Sequence, residues 1–182
     1  MQPFNIAALF VGVTLSFMVA SLTIGSTAKT AQLMVDEVRR QWRLNTDISD
    51  GNSEPDYARC IDISTNNALK EMVLPGLLAI VPPVATGFIF GSETLVALLI
   101  GITVSAVALA VFFNNVGASF DNAKKVIESG LYGGKGSESH KAAIIGDTVG
   151  DPMKDVAGPS LIIYMKLVGM TALLLLPLLI GR

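Results

Sequence analysis

FNIAALFVGVTLSFMVASLTIGSTA, residues 4–28, carries no charge over a length sufficient to cross a bilayer as a helix. Its Ser, Thr and Gly residues would let neighbouring helices approach closely. Three further apolar runs follow, at about 72–90, 94–120 and 159–180. With 51% hydrophobic and only 15% charged residues in 182, the chain is expected to be an all-α integral membrane protein with four transmembrane helices in one region, 1–182. A net charge of −2 offers no basic excess for nucleic acid, and the single Cys60 and single His140 exclude a disulfide framework or zinc cluster. The first run lacks a basic leader and a small-residue cleavage site. It therefore reads as a span and not a signal peptide, with no soluble domain before it.

The segments between the runs are polar. Residues 29–71 read as a helix leaving the bilayer, a turn-rich loop and a return. Pro75, Pro82 and Pro83 in the second run are tolerable where neighbouring helices satisfy the freed carbonyls. Gly91, Ser92 and Glu93 read as a tight turn, and Asn114 and Asn115 as an interruption late in the third run. Residues 121–140 read as a polar helix and a Gly-rich loop, and GGKGS lacks the spacing of a phosphate-binding loop. Four spans put 29–71 and 121–155 on one side of the membrane. Eleven of the thirteen Lys and Arg lie there, leaving Lys166 and Arg182, so the positive-inside rule makes that side cytoplasmic.

The segment GDTVGDPMKD, residues 146–155, leads into the last apolar run. Asp147, Asp151 and Asp155 recur every four residues, which would stack three carboxylates along one helix face. Such a face is stable beside a bilayer when cations occupy it, whether metal ions or Lys154. The alternative is a solvated acidic helix start. Asp121, Lys124 and Lys125 form a second constellation where the third run ends, readable as a local ion pair or as part of the same site. Together the two groups offer hard oxygens for Mg²⁺ and ammoniums for phosphate, the inventory of phosphoryl transfer. Lys166 lies roughly 16 Å beyond Asp155 along a continuous helix, near the same face and near the bilayer midplane. A lysine there marks an ion path or a buried pair, or else snorkels. None of the four spans offers it an acid.

The strings DNAKK (121–125), GGKGSESHKAA (133–143), GDTVGDPMKD (146–155) and GPSL (158–161), with EVRRQ, PDYARC and LKEM upstream, resemble the C-terminal part of membrane-bound ion-pumping pyrophosphatases. The resemblance covers nearly the whole chain and implies the last four spans of a sixteen-helix pump that couples Mg-pyrophosphate hydrolysis to H⁺ or Na⁺ transport. It assigns Asp121 and Asp151 to Mg²⁺, Lys124 and Lys154 to phosphate oxygens, and Asp155 to the attacking water. Asp147 would belong to the acidic metal-binding face and Lys166 to the ion gate. It further implies K⁺ as a second cation, a homodimer, and a multi-pass location in a prokaryotic plasma membrane or a eukaryotic vacuolar or other acidic-organelle membrane. The partners would be pyrophosphate, the pumped ion, the lipid bilayer and the missing N-terminal spans, without which the fragment should be inactive. Two departures stand beside the site: Phe120 where the family often has Trp, and Val156 where it often has Thr. A rival reading is a non-catalytic membrane module that binds Mg²⁺ or a polyphosphate.

Overall fold

The computed structural model describes residues 2–48 and 50–180, with nothing said of the Ile180 side chain; Arg182 lies outside the described residues. Among the described residues every regular element is helical. Four helical stretches, Pro3–Leu44, Tyr57–Phe90, Ser92–Glu128 and Glu138–Leu179, are long and apolar enough to cross a membrane. The fold is all-α, as the apolar runs predict.

Helix α1 (Pro3–Leu44) begins with Pro in its first turn, where a missing N–H costs nothing, and does not stop at Lys29. Its polar end continues as one rod and packs against α2 (Tyr57–Glu71). The Gln41 amide ties the two together. Its Nε2 donates to the Asp56 carbonyl at 3.1 Å, and its Oε1 accepts from the Asp56 N–H at 2.8 Å. At the membrane end of this hairpin, Lys29 pairs with Glu71 at 3.1 Å. Helix α3 (Val73–Phe90) follows a break at Met72, where Pro75 has no N–H to give the Glu71 carbonyl. Pro83 is buried, and α3 packs on α6, so the interrupted ladder faces protein. Gly91, at φ 86°, makes the turn into α4 (Ser92–Glu128). Asn114 and Asn115 do not interrupt α4, which carries the DNAKK string on the same helix as the third apolar run.

Helix α4 is the centre of the bundle, packed by α1, α3, α5 and α6 around Leu98, Ile102, Val19, Leu161 and Val168. It runs parallel to α1. Thr94 Oγ1 donates to Asn5 Oδ1 at 2.9 Å near their starts, and Ser105 Oγ donates to Ser16 Oγ at 2.9 Å farther along. The polar ends of α1 and α4 therefore leave the bundle at the same end. Between these bonds the two backbones touch: a Cβ on Gly12 would collide with the Leu98 carbonyl, and one on Gly101 with the Leu9 carbonyl. Close approach of small residues is how membrane helices gain packing energy where the hydrophobic effect offers none. Gly101→Val should force α1 off α4 and destabilise the bundle by about 1–3 kcal/mol. The midpoint of thermal inactivation in detergent would show it, and an unchanged midpoint would mean that the contact is dispensable.

Candidate functional site

The site forms where α4 leaves the apolar region and α5 (Glu138–Asp151) returns antiparallel beside it. Gly117 and Gly150 bring the helices together, since a Cβ on Gly117 would lie 2.6 Å from the Gly150 carbonyl oxygen and 2.7 Å from Lys154 Cβ. The Phe120 ring fills the next turn, against the backbones of Gly146 and Gly150. Farther out, His140 Nδ1 accepts from the Gly136 N–H at 3.1 Å, and its Nε2 lies 3.1 Å from Glu128 Oε1, fastening the hairpin. The Gly-rich turn between the helices spends its amides on itself. Gly134 donates to the Leu131 carbonyl, Ser137 to Gly134 and Gly136 to His140, so these N–H groups do not form a phosphate cradle.

From α5 the chain does not pass smoothly into α6 (Gly158–Ile180). Residues Pro152–Ala157 form a π turn, in which the Gly158 N–H bonds the Met153 carbonyl five residues back. Two prolines explain it. Pro152 opens the turn, and Pro159 has no N–H for the Asp155 carbonyl, so the α ladder cannot be completed here. The four-residue spacing of the carboxylates is therefore carried by regular α-helix only from Asp147 to Asp151, and Asp155 lies within the π turn. Asp147 is buried, Asp151 is half-exposed, and Asp155 sits exposed within the wide turn. The continuous α-helix expected between Asp155 and Lys166 is interrupted by this π turn, which leads into α6. Lys166 is exposed on α6 and forms no ion pair among the described residues.

The turn delivers Lys154 to α4. Its Nζ lies 2.7 Å from Asp121 Oδ2 and 3.1 Å from Asp151 Oδ1, while Lys125 reaches the same Asp121 oxygen at 3.0 Å. Lys124 pairs with Asp147. These groups lie beyond the apolar runs. The hydrogen bonds from Lys154 and then Lys125 hold the Asp121 carboxyl down to about 2, and those to Asp121 and Asp151 push the Lys154 ammonium upward. Lys124 is raised by its bond to Asp147. Cations and carboxylates thus alternate across the α4–α5 contact, and Asp155, next in sequence to Lys154, has no ion-pair partner among the described residues. A substrate that is a polyanion carrying divalent cations could enter by exchanging partners, its phosphates taking the lysines and its metal taking the aspartates.

The family model described as inorganic H⁺ pyrophosphatase matches residues 1–175. The chain belongs to that family. It is 47% identical over 180 residues to the K(+)-insensitive pyrophosphate-energized proton pump of Methanosarcina mazei, covering 99% of this chain and 27% of that one. It is 49% identical to the putative K(+)-stimulated pyrophosphate-energized sodium pump of Bacteroides thetaiotaomicron, over 96% of this chain and 24% of the relative. The pyrophosphate-energized membrane proton pump 3 of Arabidopsis thaliana matches at 43% over 92% of this chain and 22% of its own length. The chain thus spans about a quarter of the length of the curated relatives it matches. Of the residues that the pyrophosphatase resemblance singles out, the structure pairs Asp121 and Asp151 with Lys154, and Lys124 separately with Asp147 on the same α4–α5 hairpin. It leaves Asp155 beside those pairs and Lys166 apart from them. Among the described residues no three His, Cys, Asp or Glu side chains gather as a ready-made metal site. Sequence reasoning missed the π turn and the glycine contacts beneath the lysines, though Pro152 and Pro159 flanking the KD pair were a visible signal.

Proposed function

We propose that this segment is the C-terminal part of a membrane pump that hydrolyses Mg-pyrophosphate and moves H⁺ or Na⁺ across the bilayer. The observation that carries the reading is the Lys125–Asp121–Lys154–Asp151 series at the mouth of the helix bundle. Asp121 and Asp151 touch the same ammonium, and would take one small cation between them once Lys154 turns to a phosphate. Two carboxylate oxygens suit Mg²⁺, which is held by one or two protein carboxylates, with substrate phosphates and waters completing its octahedron. When bound, that ion would neutralise charge on the phosphates and fix their orientation. K⁺ is the second cation the reading admits, since relatives are named both K⁺-stimulated and K⁺-insensitive.

The chain's own groups do the rest. Lys124 and Lys154 supply N–H donors to phosphate oxygens, and Asp155, with no ammonium to satisfy it, accepts the proton of the attacking water. A module that only bound a metal diphosphate would be weakened by an unpaired carboxylate beside its anionic ligand. Asp155 therefore favours turnover over the non-catalytic reading. Relatives named as proton and as sodium pumps match at nearly the same identity, which fits a site serving the hydrolytic step common to both. The other spans of the protein would complete the site and the ion path. The site faces the cytoplasm, on the side rich in Lys and Arg, of a plasma membrane in a prokaryote or a vacuolar or other acidic-organelle membrane in a eukaryote, with the whole protein acting as a homodimer.

Lys154→Met in the complete protein tests the phosphate assignment. Losing a charge-assisted bond worth about 1.5–3 kcal/mol should weaken a non-hydrolysable diphosphonate roughly ten- to hundredfold. Unchanged affinity would remove Lys154 from the substrate.

A further inference from the structure

We propose that Asp147 is a positioning residue that holds the Lys124 ammonium toward the substrate and is not a metal ligand, a proposal that rests on reading the site as one for a metal diphosphate. Asp147 is 6% exposed, and its Oδ2 accepts from Lys124 Nζ. Its other oxygen, Oδ1, is buried without a partner among the described residues. The carboxylate is therefore committed to the interior of the α4–α5 contact. Asp151, one turn away, leaves 48% of its side chain open, and Asp121 leaves 20%. A Mg²⁺ ion reaching Asp147 would have to displace the ammonium and shed waters that it gives up reluctantly. It would also come to rest against a like charge.

The backbone allows no easy escape. Gly146 and Gly150 flank Asp147 and both press on the Phe120 ring, where a Cβ at either would come within 3.1 Å of it. Swinging the carboxylate toward the cleft would mean lifting α5 from α4. Lys124, by contrast, keeps 25% of its side chain exposed. Its ammonium has three donors, of which Asp147 engages one, leaving two for phosphate oxygens. A lysine stem is flexible, and a buried anion at its base fixes the reach of the head before the ligand arrives, so the benefit appears as affinity.

The test uses the complete protein in membranes and reads Lys124 directly. Acylation by a water-soluble succinimidyl ester is followed by mass spectrometry at Lys124, with the exposed Lys125 as internal reference. Asp147→Asn should speed Lys124 acylation several-fold and raise the KM for Mg-pyrophosphate about tenfold, with kcat altered less than about threefold. The Mg²⁺ concentration that protects against proteolysis without pyrophosphate should not move. In Lys124→Met, adding Asp147→Asn should cost nothing further, because there is no ammonium left to place. If the amide variant fails to assemble, Asp147→Glu keeps the charge and shifts the ammonium, so acylation rate and KM should change together. A raised Mg²⁺ requirement with unchanged Lys124 reactivity, or additive losses in the double variant, would overturn the proposal. If the parent protein bound no diphosphonate, the pyrophosphate reading would fall, and the acylation rates would still decide whether Asp147 holds Lys124.

Discussion

Asp155→Asn in the complete protein should lower kcat for pyrophosphate hydrolysis by about 10²–10⁴-fold, the usual contribution of a positioned general base. The amide preserves the size of the side chain but cannot take a proton from water. Little else should change, because Asp155 is exposed and carries no ion pair among the described residues, so the α4–α5 ion pairs do not lean on it. Binding of a diphosphonate should persist or tighten, since a negative charge beside the phosphates has been removed. Burst measurements of phosphate release, with membrane expression checked by blotting, separate this from misfolding. Near-normal turnover would remove Asp155 from the chemistry.

Lys166→Met should break the link between hydrolysis and transport, lowering ions moved per phosphate released well below that of the parent. Lys166 lies on α6, twelve residues past Lys154 and beyond the π turn, and forms no ion pair among the described residues. A cation at membrane depth needs a counter-charge, which the spans outside this segment must supply. Removing the ammonium would leave that acid buried alone, altering its affinity for the pumped cation. Simultaneous recordings of phosphate release and ion uptake in sealed vesicles give the ratio, while KM for Mg-pyrophosphate should hold. A preserved ratio with a large loss of substrate affinity would place Lys166 at the phosphates and end the gate assignment.

The four apolar runs were legible because charge is excluded from the first three over bilayer length and enters the fourth only as Lys166, and the Asp and Lys residues of the site because their strings resemble one family closely. Their arrangement was not. A four-residue spacing predicts a stacked acidic face only while the helix stays α, and Pro152 and Pro159 break that condition between Asp151 and Gly158. The pairing of Lys124 with Asp147 depends on how near α5 approaches α4, which Gly117 and Gly150 set across more than thirty residues of chain. The polar extension of α1 runs out of the bilayer as a helix, as expected, and that of α4 does so without the interruption expected at Asn114 and Asn115. They remain single helices because nothing between Ala28 and Leu44, or between Phe120 and Glu128, interrupts the backbone ladder.

The aspartate–lysine pairs of this segment are proposed to serve a pump driven by Mg-pyrophosphate. The most direct measurement is phosphate release together with H⁺ or Na⁺ accumulation in sealed vesicles bearing the complete protein, with and without Mg²⁺. Pyrophosphate should drive both, chelating Mg²⁺ should stop both, and Asp155→Asn should stop both while leaving the diphosphonate bound. Vesicles that bound Mg-pyrophosphate yet released no phosphate and accumulated no ion would contradict this role.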